Sequence, residues 1–341
     1  MNKTTIKNLA WLVLLLLATI WIIAQHRRTP VAYLSDHGRV FGTLYNITYR
    51  HSCDLQAEID SVLRIIDGSL SPFNDTSTIT RINRNEPVQP DTFFLHVFQR
   101  SMEVSRQTEG AFDITVAPLV NAWGFGFHAE TFPGQERIDS LLALTGYGLV
   151  RLDSVNGRIV KDDPGIMLTC SAVAKGYAVD VVASLLRSQG IDDYMVEIGG
   201  EVSAHGVNTI GLPWRIGVNK PLDDSLSINR DLQTILSISN ACIATSGNYR
   251  NFYYRDGRKY AHTIDPRTGY PVRHSLLSAT VIAPDCMSAD AYATAFMVMG
   301  VDQALLLAND LPDLEAYFIY QDTDGQMQCV MTDGMDAYIA K

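Results

Sequence analysis

The chain has little cysteine, no long basic run and no internal repeat, and each shortage removes a class of function. Its five cysteines (Cys53, Cys170, Cys242, Cys286 and Cys329) are scattered, odd in number and never spaced as C-x-x-C. That pattern argues against a metal cluster or a disulfide framework, and the thiols read as small buried hydrophobes. A net charge of -10 is offset by no basic stretch, so nucleic acid is not an expected partner. The Gly-x4-Gly-Lys-Ser/Thr spacing of a P-loop is also absent. No low-complexity block appears, and 47% apolar with 19% charged residues over 341 positions suits a globular chain with a substantial core.

What is present begins with an apolar run. Leu9 to Ala24 carries no charge, follows Lys3 and Lys7, and precedes Arg27 and Arg28. Its length lies near the lower limit of about 17–25 residues for a spanning helix. It exceeds a signal h-region of about 7–15 residues, and Ile22 spoils a small-residue cleavage motif at Ala24. Residues 1–28 are therefore expected to be an uncleaved signal anchor that contacts membrane lipid. Residues 29–341 are expected to form a single domain outside the cytoplasmic membrane.

Beyond the tether, helical spacing predicts helices at about 55–68, 92–109, 135–144, 171–189, 288–299 and 301–310. Strand patterns fall at about 41–49, 158–169, 193–205, 214–219, 233–239, 250–263, 276–283 and 314–320. The elements mix without βαβ alternation, which predicts an α+β fold with mainly antiparallel sheets and packed helices. The polar stretch 206–231 reads as a boundary or a surface excursion.

Several segments carry chemistry. Asp290 and Thr294 stand four residues apart on a predicted helix, so their oxygens share one face and suit a hard cation such as Mg²⁺. A plainer reading makes Ser288 the N-cap and Asp290 a partner of the helix dipole. Ser171-Ala-Val-Ala-Lys175-Gly176 opens a predicted helix, whose free N–H groups and Lys175 suit an anion. Its rival has Ser171 as a cap and Lys175 in solvent. Gly110-Ala111-Phe112-Asp113 through Trp123-Gly124 brings aromatics to flexible backbone, fit for a flat heterocycle whose polar edge donates to Asp113. Core packing gives the same letters. Thr245-Ser246-Gly247-Asn248-Tyr249-Arg250 offers a phosphate cradle or a plain turn. His262 precedes Asp265-Pro266 and a Gly269 turn.

In this order the segments resemble the ApbE family of bacterial FAD:protein FMN transferases. The resemblance runs from about Phe41 to Gly300 and rests on eight short motifs. They are Phe41-Gly42-Thr43, Leu70-Ser71-x-Phe73-Asn74, Gly110-Ala111-Phe112-Asp113, Ala174-Lys175-Gly176-Tyr177-Ala178, Ile198-Gly199-Gly200-Glu201, Ser246-Gly247-x-Tyr249-Arg250, His262-Thr-Ile-Asp265-Pro266 and Ala289-Asp290. It implies a T-fold-like α+β domain that uses Mg²⁺ and FAD, attaches FMN to a threonine of a partner protein and releases AMP. It also implies a bacterial inner-membrane location with the catalytic part on the periplasmic side, and a membrane-associated redox subunit as acceptor.

Carried over residue by residue, the resemblance gives Ala172 (through its carbonyl), Asp290 and Thr294 as metal ligands. Phe41, Phe73, Ala111, Phe112, Asp113, Thr169, Lys175 and His262 become flavin-nucleotide contacts, with His262 and Asp290 as the catalytic pair. Either of those two serves as the base on this reading. Two departures stand out: Phe41 replaces the family's usual Met, and Thr169 replaces a common Asp. An FAD pyrophosphatase, with water in place of threonine, or a non-catalytic FAD-binding protein would use the same residues.

Overall fold

The computed structural model describes residues 11, 13, 15–19, 32–126, 132–223 and 231–340. Of the expected anchor only residues 11, 13 and 15–19 are among them; these are helical and exposed, and the rest of that expectation lies outside the described residues. Among the described residues no helix is long and apolar enough to cross a membrane.

Two-residue turns build much of the main sheet. Tyr33–Val40 and Thr43–Arg50 are joined by Phe41 and Gly42, at φ 51° and 74°. Tyr194–Ile198 and Glu201–His205 are joined by Gly199 and Gly200, at φ 65° and 106°. Positive φ at both central residues gives a turn whose twist matches that of the flanking strands. These turns explain why the single strands expected over 193–205 and 250–263 are in fact hairpins; the second turns at Asp256–Gly257. The strand expected at 41–49 is Thr43–Arg50, and its partner Tyr33–Val40 went unread.

From edge to edge the antiparallel sheet runs Tyr33–Val40, Thr43–Arg50, Tyr194–Ile198, Glu201–His205, Ala241–Gly247, Leu276–Ala283, Glu315–Gln321 and Met327–Met331. Its central strands alternate between two cores. Cys242, Ala244, Ala279, Val281, Ala316 and Phe318 face a large core shared with the helices. Ala241, Ile243, Ile282, Tyr317 and Ile319 face a smaller one, covered by the hairpin Trp214–Asn219 and Leu232–Ile238. Burial on both faces removes the polar alternation of a half-exposed strand. The stretch 206–231 is thus an excursion carrying one strand of the covering hairpin, with residues 224–230 outside the described set.

On the larger core lie the helices Gln56–Leu70, Thr92–Gln107, Ala174–Ser188 and Cys286–Met299. A third cluster joins Leu119, Trp123, Ile138, Tyr260 and Ile264. Trp123 stacks on Tyr260 at 5.8 Å and donates from Nε1 to the Gly269 carbonyl at 2.8 Å. This clamps the loop after His262. Of the strand expected at 158–169 only Arg158–Lys161 forms; Ile166–Thr169 is irregular, and the Thr169 N–H goes to the Ile114 carbonyl at 2.7 Å.

Candidate active site

Two helices meet at Gly176. A Cβ built there would lie 2.2 Å from the Cys286 carbonyl oxygen and 2.9 Å from Asp290 Cβ, so glycine is what lets the Ala174 and Cys286 helices approach. Each helix then caps the other. Asp180 accepts from Cys286 N at 2.8 Å and from Met287 N at 2.8 Å. Asp290 Oδ2 accepts from Gly176 N at 3.0 Å, satisfying one of the first-turn donors that a helix leaves unpaired. Burial pushes the Asp180 carboxyl up to about 7, against the pull of the two N–H donors.

The capping readings of both serines are corrected here. The helix expected from Ser171 begins at Ala174, and no side chain caps it at its own N-cap position. Ser171 instead pairs its hydroxyl with that of Thr169 at 2.7 Å. At the other helix Asp285 is the cap, accepting from Ser288 N at 2.7 Å, and Asp290 falls in the second turn. The plainer reading of Asp290 as a first-turn dipole partner fails on that count.

A cavity of about 460 Å³ opens where these helix ends meet the sheet. Its lining includes Asp290, Thr294, Ala172, Lys175, Thr169, Ser246 and Glu201, together with Ala111, Phe112, Asp113, Phe125, Arg250 and His262. Asp290 is 2% exposed. Thr294 Oγ lies 3.2 Å from Ser246 Oγ, which ties the helix face to the strand Ala241–Gly247. Asp290 and Thr294 bring hard oxygens to the wall that Ala172 also lines.

Lys175 supplies the local positive charge. Its Nζ donates to Glu201 Oε1 at 2.7 Å and lies 3.6 Å from Asp290 Oδ1. Burial alone lowers the ammonium, but Asp290 and Glu201 outweigh it and hold the pKa above its ordinary value. Lys175 therefore stays charged, and its reading as a solvated helix residue is corrected. His262 lies half-buried in the wall of the same cavity. Burial lowers its pKa, the Asn251 carbonyl acts against that, and Lys175 adds to it. The Asn251 carbonyl can only accept from Nδ1, 3.2 Å away, which leaves Nε2 as the basic nitrogen.

Most of the expected contacts come together. Phe73 sits at the rim, 73% exposed. Asp113 reaches the cavity wall, but its oxygens already accept from Thr115 N, Thr115 Oγ and Tyr147 N at 2.6–2.8 Å. That makes it chiefly an organiser of the loop. Phe41 stands apart: it occupies a left-handed turn position, packs against the large core and is not among the cavity-lining residues. Trp123 belongs to the third core rather than to a ligand sandwich. Glu201 was missed as a site residue. The available signal was an acidic residue opening a strand of otherwise small or apolar buried positions, Glu201-Val-Ser-Ala.

Hard oxygens, a fixed ammonium and an uncharged imidazole around one cavity are the equipment of an enzyme working at phosphate. A family model described as "ApbE family" matches residues 41–318, and the chain belongs to that family. It is 39% identical over 317 residues to the FAD:protein FMN transferase of Vibrio cholerae, spanning 89% of this chain and 92% of that one. It is 37% identical over 295 residues to the FAD:protein FMN transferase of Escherichia coli strain K12, spanning 82% of each. The solved structure of flavin transferase ApbE from Vibrio cholerae matches with a TM-score of 0.82 at 36% identity, covering 91% of this chain and 100% of that one.

Proposed function

We propose that this protein transfers FMN from FAD to a threonine hydroxyl of an acceptor protein, with Mg²⁺ as cofactor and AMP as the second product. The observation that carries the reading is the meeting of Asp290, Thr294, Ala172, Lys175 and His262 at one cavity, in a chain of this family. The metal donors fit: they are few, hard and oxygen-only, as suits an ion that keeps water and phosphate oxygens in its shell. Among the described residues no group of three or more His, Cys, Asp or Glu side chains could hold a metal ion, so water, and phosphate when the nucleotide is present, would complete the shell of this donor set. When bound, Mg²⁺ neutralises charge developing on the pyrophosphate.

The chain's own residues do the rest. Lys175 holds a positive charge beside the phosphates, and the hydroxyls of Thr169 and Ser246 add neutral donors. The acceptor's threonine oxygen attacks the phosphorus on the riboflavin side. A new P–O bond forms as the P–O bond to AMP breaks, and the threonine proton passes to His262 Nε2. Asp290 is the weaker candidate base, because Oδ2 already accepts from Gly176 and Oδ1 faces Lys175. No covalent enzyme intermediate is required.

The uncharged run Leu9 to Ala24 supports a single span in the bacterial cytoplasmic membrane with the catalytic part outside. The acceptor would then be a membrane-associated redox subunit. The test mixes the full-length protein in detergent with FAD, Mg²⁺ and a threonine-bearing acceptor, following acceptor mass and AMP together. Gain of one FMN unit with AMP is expected. AMP and free FMN with an unmodified authentic acceptor would establish a pyrophosphatase instead, and unchanged bound FAD a binding protein.

A further inference from the structure

Glu201 carries an oxygen with nothing to hold. The residue is 5% exposed, at the start of the strand Glu201–His205, and it lines the cavity. Oε1 accepts from Lys175 at 2.7 Å, while Oε2 is buried without a hydrogen-bond partner. Among the described residues the only other such side-chain atoms are the hydroxyls of Ser101 and Ser278, so Oε2 is the one carboxylate oxygen in this state. A hydroxyl left alone costs little beside a carboxylate oxygen, which forfeits strong hydration on burial. An uncompensated group of this kind, in a cavity wall, is suited to a partner that arrives with the ligand.

The chemistry of that partner is constrained. Burial pushes the Glu201 carboxyl up to about 7, while the Lys175 ammonium on Oε1 pulls it back. In the ionised form that Lys175 favours, Oε2 only accepts, so phosphate oxygens pair with the ammonium and not with Oε2. Lys175 links Glu201 to Asp290, which places Oε2 at the cation and pyrophosphate end of the cavity rather than beside Phe73. The groups there that carry protons are water held by the cation and hydroxyls of the sugar or ribityl chain.

We infer that Glu201 is a ligand-binding residue whose Oε2 accepts an O–H from the bound ligand shell, while Oε1 holds Lys175 against the phosphates. The inference rests on the proposed FAD and Mg²⁺ reading and adds a residue to it. Two sources share this chemistry, cation-held water and an FAD hydroxyl, and binding measurements separate them.

The test is Glu201→Gln in the full-length protein, which puts an amide donor in place of one oxygen at nearly constant volume. Circular dichroism checks the fold. Mn²⁺ affinity without nucleotide is read by calorimetry, and FAD affinity at saturating Mg²⁺ by flavin fluorescence. A cation-water partner predicts a loss of about tenfold or more in Mn²⁺ affinity, in the range seen for outer-shell partners of bound metals. An FAD hydroxyl predicts the loss in FAD affinity instead, and loss in both fits a shared network. Unchanged affinity for both in a folded variant overturns the inference. Should Glu201→Gln fail to fold, Glu201→Asp withdraws the carboxylate by one methylene while keeping its charge for Lys175, and the same two affinities decide. Wild-type protein that binds no FAD at all would instead sink the functional reading, a separate outcome.

Discussion

Asp180 and Asp290 cap each other's helices. The first accepts from the N–H groups of Cys286 and Met287, and the second accepts from Gly176 N–H. A residue proposed to hold the cation is thereby fixed by the same exchange that docks the two helices. Asp180→Asn would turn an amide N–H₂ toward one of two backbone donors. We expect a loss of about 1–2 kcal/mol in denaturant unfolding, together with weakened Mg²⁺ affinity although the substituted side chain would touch no ligand. Unaltered metal affinity would show that Asp290 is held independently.

Gly176→Ala tests the helix crossing itself. The new methyl would meet the Cys286 carbonyl at 2.2 Å, and backbone cannot swing away as a side chain tip can. Overpacking of this kind costs about 1–3 kcal/mol. Thermal unfolding should move down, and flavin transfer should fall with it because Asp290 shifts. A variant as stable as wild type would mean that the crossing is looser than described.

Asp290→Asn keeps an acceptor for Gly176 but removes the charge offered to a cation. Mg²⁺-dependent AMP release should drop by at least about a hundredfold, the scale for losing one preorganised electrostatic group, with circular dichroism unchanged. Undiminished turnover in a folded variant would remove Asp290 from the metal site.

The pH dependence should carry the mark of His262. Its folded pKa is lowered, by burial first, with Lys175 adding to that against the Asn251 carbonyl. A base with a lowered pKa stays neutral further into the acid range, so the acid limb of kcat/KM should fall below the ordinary histidine value of about 6.5. For stability the sign is the same. The unfolded chain binds the extra proton more readily, so this site's contribution is present above about pH 6.5 and is lost as pH falls through the folded value. His262→Gln should abolish that limb and cost about 10²–10⁴ in rate. An acid limb above 6.5 that persists in the variant would assign the base elsewhere.

Thr169→Asp restores a carboxylate at the cavity edge. Thr169 Oγ accepts from Ser171 N at 3.2 Å, and an aspartate can make the same local turn bond. Affinity for Mg²⁺ or FAD should rise by up to about tenfold, equivalent to ~1.4 kcal/mol. A fall measured by calorimetry would mean that threonine suits this cavity better than charge does.

What the sequence disclosed followed the strength of local signals. The helix Val301–Asp310 and the strands Trp214–Asn219 and Leu276–Ala283 were legible to their ends, because periodicity and flanking breakers agreed. The strand Ala241–Gly247 was not, since Ala241, Cys242, Ile243 and Ala244 alternate between two cores and show no polar face, and Thr245 and Ser246 line the cavity. Asp290 and Thr294 could be paired from their helical spacing. Glu201 could not be joined to them, because its partnership with Lys175 links a strand to a helix start 26 residues earlier and leaves no local trace. Ser171 was misassigned as a cap for a similar reason, since the carboxylate that satisfies Gly176 comes from the other helix over a hundred residues away; Ser288 lost the role to Asp285, three residues before it.

That separation bears on how the molecule assembles. The Asp180–Cys286 and Asp290–Gly176 bonds link positions 106 and 114 residues apart, and such contacts form only after a large loop has closed. Asp285 caps Ser288 locally, but the N–H groups of Gly176, Cys286 and Met287 gain their carboxylate partners only when both segments have arrived. A nascent or clipped chain lacking the Cys286 helix would carry Lys175 and His262 without the Asp290 carboxylate that faces Lys175, and so would be catalytically silent rather than hydrolysing FAD wastefully. Activity would appear in one step, late in folding, which a refolding time course of AMP release against helix content would reveal as a lag.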